Sequence, residues 1–109
     1  MNLNILRKLT KDNILYYRKT NYGIDESVIN FIYYGDDNQL YFSHILFDNI
    51  QYEIFEKSNN KEEIILKSIE KGKCYETENI TNLPNIVESL QSFGILDKVR
   101  DIKINKIIN

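Results

Sequence analysis

The chain of 109 residues has no alanine and no tryptophan, and it carries one proline, one cysteine, one histidine and four glycines. Each shortage excludes something. Without alanine the chain lacks the best helix former, while its many Ile and Tyr residues suit strands, so composition tilts the fold toward β. A lone Cys74 excludes an internal disulfide, and the stretch from Met1 to Asp12 has no apolar run followed by a cleavage site. A cytoplasmic protein is therefore expected. No stretch approaches the roughly 18–20 uninterrupted apolar residues of a membrane span, so no membrane partner is expected. The glycines, Gly23, Gly35, Gly72 and Gly94, lie far apart, each beside a turn or a helix end, which excludes a glycine-rich phosphate cradle.

What is present fits one globular domain spanning 1–109, with 42% hydrophobic and 28% charged residues supporting a single modest core. The abundance of Ile, Asn and Lys is what an AT-rich genome supplies and carries no functional weight. The centre of the chain, Ser27 to Lys57, reads as three consecutive strands, because Gly35-Asp36-Asp37-Asn38 and Asp48-Asn49 are turn-forming clusters between runs rich in Ile, Phe and Tyr. Val28–Tyr34 and Leu40–Phe47 place large apolar groups on both alternating sets, as central strands do, whereas Ile50–Lys57 alternates like a half-buried one.

Before this meander, residues 2–9 lean to strand and Ile14–Lys19 has strand composition. After it, Glu62–Glu70 reads as a strand paired with Lys73–Thr77 across Gly72, with a short helix ending at Gly72 as the alternative. One helix is expected, from Pro84 at its first turn to Phe93, with Gly94 at the left-handed cap position and Ile86, Val87, Leu90 and Phe93 on one stripe. The run Asp97–Ile108 reads as a closing strand. The expected fold is α+β: an antiparallel meander of about five to seven strands carrying one helix in the C-terminal half.

The residues that could carry chemistry are few. His44 and Cys74 lie in separate expected strands without metal-ligand spacing, so no metal and no cofactor are expected. An enzyme pairing His44 with Cys74 across the sheet is an alternative without any local nucleophile signature. Adjacent carboxylates such as Asp36-Asp37 point apart in a strand or into solvent in a turn, and the loop lacks the alternate ligands of a calcium site. Tyr16-Tyr17-Arg18-Lys19 interleaves rings with cations, as a single-stranded nucleic-acid binder would, but a pI of about 5.4 opposes phosphate tracking.

Charge is segregated along the chain. Residues 1–20 carry five basic side chains against Asp12, a balance of +4, and residues 21–60 carry seven carboxylates against Lys57, a balance of -6. The remainder is balanced, which leaves the net -2. The acidic, Tyr-bearing centre points to a non-enzymatic protein that docks on a basic surface of another protein, such as a nuclease or other nucleic-acid-handling enzyme, and inhibits it. Immunity proteins and phage-encoded anti-defence inhibitors have this general character. The expected partner-binding residues are Tyr33, Tyr34, Asp36, Asp37, Tyr41, Asp48 and Glu53.

Overall fold

The computed structural model describes residues 9–35 and 37–99. Its strands β1 (Ile14–Tyr22), β2 (Glu26–Tyr34), β3 (Leu40–Asp48) and β4 (Cys74–Asn79) form one antiparallel sheet in the order β1-β2-β3-β4. Between β3 and β4 the chain forms helices α1 (Asn49–Lys57) and α2 (Lys61–Glu70), and after β4 comes α3 (Ile86–Ser92).

The two tight connections of the meander follow from local chemistry. Gly23 takes φ 74 between β1 and β2. Between β2 and β3 the Gly35 amide donates to the Gln39 carbonyl at 2.8 Å, and Asn38 takes φ 61. A Cβ on Gly35 would lie 2.6 Å from a carboxylate oxygen of Asp37 and 2.7 Å from the Tyr41 ring, so a larger residue there must push both side chains aside.

Both faces of the sheet are covered, and the two cores are separate. On the first face Ile29, Phe31, Tyr33, Ile45 and Phe47 pack against Phe55 of α1 and Ile65 and Ile69 of α2. On the second face Leu15, Ile32 and Leu40 pack against Ile86 and Leu90 of α3, with Ile80, Ile95 and Val99 closing the cluster. This two-sided burial explains why β2 and β3 carry apolar groups in both alternating sets. At roughly 25 cal/mol per Å² of apolar surface, these two layers are the main source of stability.

The α+β class and the antiparallel sheet agree with the sequence, but the element count does not. Among the described residues there are four strands and three helices, where five to seven strands and one helix were expected of the chain. Ile50–Lys57 is the helix α1, because Asp48 is its N-cap: the carboxylate accepts from the Gln51 amide at 2.8 Å, and the Gln51 side chain accepts from the Asp48 amide at 3.0 Å. That reciprocal box starts a helix, not a hairpin.

Glu62–Glu70 is also helical. It ends with Gly72 at φ 68, the Gly72 amide donating to Ile69 and the Lys73 amide to Ser68, and α3 ends the same way at Gly94 through Leu90 and Gln91. These are Schellman endings, in which a glycine adopts the left-handed conformation just past the last turn. The expected strand at Lys73–Thr77 forms as β4, Cys74–Asn79, but its partner is β3, not 62–70. Of the expected closing strand, Leu96–Val99 is a 3-10 turn, and its continuation, like residues 2–8, lies outside the described residues.

Candidate functional site

The expected docking residues do not converge. Tyr33 is buried, stacked between Phe31 and Tyr41, and its phenol is pushed up to about 12, first by burial and then by its neighbours Cys74, Tyr41 and Asp37. Tyr34 is half-buried against the second core. Asp37 folds back on its own turn, accepting from the Tyr41 hydroxyl at 2.5 Å and the Gln39 amide at 3.1 Å. Asp36 lies outside the described residues. Asp48 caps α1 at the far end of β3, roughly 26 Å from the Asp37 turn at about 3.3 Å per residue. Glu53 is paired with Lys57 at 3.0 Å on α1. Tyr33 and Tyr41 therefore serve the core and the turn, and Asp48 and Glu53 belong to the opposite end.

That opposite end has its own composition. Glu26 stands directly across from Asp48 in the β2-β3 register, with Asp25 beside it, and among the described residues no cation pairs with any of the three. Like charges placed opposite one another in a sheet are destabilising. At the same end Ile24 is 96% exposed in the β1-β2 turn, and Ile50 and Ile54 are 74% and 62% exposed, one helical turn apart on α1. Nothing in either core uses these three side chains.

A second feature lies on the second sheet face, beyond the reach of α3. The register puts Arg18, Asn30, His44 and Tyr75 in one row across all four strands. There they line a groove of about 690 Å³ with Tyr16, Val28, Phe42, Leu46, Glu76 and Phe93. The Asn30 amide donates to the Thr20 hydroxyl at 2.7 Å, which turns its carbonyl to His44 Nδ1 at 2.5 Å. His44 therefore donates from Nδ1, and its Nε2 faces the groove, 3.7 Å from Glu76. Glu76 is placed there by an irregularity in the β3-β4 ladder and takes φ 49, a left-handed conformation that a non-glycine side chain adopts only under local constraint.

Sequence reasoning missed this groove because the row is assembled by strand register. Its one legible sign was that His44 and Asn30 fall on alternating sets otherwise filled by apolar groups.

The structure separates two other sequence pairings. His44 faces the groove, whereas Cys74 packs against the core of the opposite face, where burial pushes its thiol up to about 11 and a hydrogen bond from Ser43 offsets a part of that rise. Those two groups do not face each other. The run Tyr16–Lys19 is divided as well: Tyr16 stacks on Phe93 at 4.6 Å beside Arg18 in the groove, while Tyr17 packs edge-on against Phe55 and Lys19 lies 4.4 Å over the Tyr52 ring.

Among the described residues no cluster of His, Cys, Asp and Glu could hold a metal ion, and no helix is long and apolar enough to cross a membrane. No protein-family model, curated protein or solved structure matches this chain.

Proposed function

We propose that this chain is a non-enzymatic binding protein that occupies a basic surface of another protein. The docking surface is the end of the sheet carrying Asp25, Glu26, Asp48, Ile24 and the outer face of α1. The observation that carries the reading is the Glu26–Asp48 pair in register, uncompensated by any cation among the described residues, with Ile24 and Ile50 exposed within two residues of it and Ile54 exposed one turn further along α1. Such a pair opposes folding, and a positively charged partner removes the opposition. Exposed isoleucines beside it supply the apolar centre that a charged rim alone lacks. A nucleic-acid-handling enzyme fits best, because its phosphate-tracking groove is a broad basic surface, and blocking it inhibits the enzyme as an immunity protein or anti-defence inhibitor does.

Capture from the source cells followed by mass spectrometry supplies the partner, and the purified pair is then studied by stopped flow. Asp25→Lys combined with Glu26→Lys should slow association about tenfold at low salt, with the difference shrinking as screening shortens the reach of charge. Ile50→Asp should chiefly speed dissociation. A partner that associates equally fast with the charge-reversed and unmodified chains would refute the proposal.

A further inference from the structure

Folding leaves the open half of the second sheet face unfinished. It is apolar where Val28, Phe42 and Leu46 line it, and two of its other rings, Tyr75 and Phe93, belong to neither core. Tyr75 is 56% exposed and Phe93 is 37% exposed, and both line the groove. Phe42 and His44 meet edge to face at 4.9 Å, so the imidazole is held by a ring on one side and by Asn30 on the other. Arg18, on the β1 side, pairs with no carboxylate among the described residues. Glu76 stands on the β4 side beside His44. A cation at one margin, a carboxylate at the other and a fixed polar chain between them give the groove a direction.

We infer that this groove binds a small planar ring compound carrying one acidic group, held between Arg18 and the Asn30–His44 chain. The acidic group belongs on the β1 side, where the guanidinium offers paired donors to a carboxylate or phosphate and Glu76 is distant. The ring lies over Val28 and Leu46 toward Tyr75, with a donor on its edge directed at His44 Nε2 and Glu76. A volume of about 690 Å³ admits a molecule of one or two fused rings with a short acidic arm. A polynucleotide does not suit the site, because one arginine offset by one glutamate gives no track for successive phosphates. Two sources share the required chemistry, a nucleoside monophosphate and an aromatic carboxylic acid.

The full chain, labelled with nitrogen-15, is titrated with adenosine monophosphate and adenosine, and separately with 6-hydroxy-2-naphthoate and its neutral counterpart 6-hydroxymethyl-2-naphthol, each of which carries a donor on its ring edge. The acidic member of one pair should shift the amides of Asn30, His44 and Tyr75 saturably, and its neutral counterpart should bind about tenfold more weakly. Arg18→Gln should remove that preference without lowering the melting temperature, since Arg18 is exposed. The pair that saturates tells nucleotide from aromatic acid. Absence of saturation with all four probes, equal binding of acidic and neutral members, or an Arg18→Gln chain that keeps the preference overturns the inference. So does a concentration-dependent shift of the same amides without any probe, which would mean that a second copy covers this face.

Discussion

Tyr33 and Tyr41 differ from ordinary tyrosines in how long they keep their protons. Both are raised from 10.0 to about 12, burial being the largest cause in each, with the Asp37 hydrogen bond second for Tyr41 and the Asp37 charge last for Tyr33. Below pH 10 both phenols are protonated whether the chain is folded or not, so stability does not depend on them there. Between pH 10 and about 12 the unfolded chain loses protons that the folded chain keeps, and stability falls as pH rises. Asp37→Asn should lower the Tyr41 midpoint appreciably and the Tyr33 midpoint little, read from tyrosinate absorbance combined with NMR of the two rings. Equal changes at both rings would contradict this ranking of causes.

At the scale of elements, Asp48 has two opposed effects. Its carboxylate caps α1, an interaction whose loss costs about 1 kcal/mol, and it faces Glu26, a repulsion of about 0.2–1 kcal/mol. Capping outweighs the repulsion, so Asp48→Ala should destabilise the chain, while Glu26→Lys should stabilise it by a few tenths of a kcal/mol or more. Urea melts of the two variants measure this directly, and a destabilised Glu26→Lys would show that the pair is compensated.

The same element shows where sequence reading went astray. Ile50, Tyr52 and Ile54 alternate like a strand, yet the buried side chain of α1 is Phe55, and two of the alternating residues are exposed. The box Asp48–Gln51 and the Gly72 ending were legible signals for α1 and α2, and they outweigh an apparent period of two over eight residues.

For the molecule as a whole, β2 and β3 belong to both cores, so neither layer can be lost alone. Leu90 lies on the second face and Ile65 on the first, both fully buried. Leu90→Ala and Ile65→Ala should each cost about 2–5 kcal/mol, a large share of the roughly 5–15 kcal/mol available to a domain. Each should also preserve one transition, coincident by far-ultraviolet circular dichroism and by tyrosine fluorescence. A variant that splits the melt into two steps would show that the layers unfold independently.

Local chemistry by itself determined the β2-β3 hairpin, the strand character of 14–19 and α3, because turn residues, caps and a proline act within a few positions of one another. It also determined that the central strands are covered on both faces, since an apolar side chain on either set must leave water. Only the tertiary structure decided that Asp37 and Asp48 sit at opposite ends of β3, that β4 pairs with β3 across two inserted helices, and that Arg18, Asn30, His44 and Tyr75 share one row. Net charge along a chain is a sum, whereas a surface is an arrangement. Register and crossover connections set that arrangement, and they depend on contacts between residues far apart in sequence.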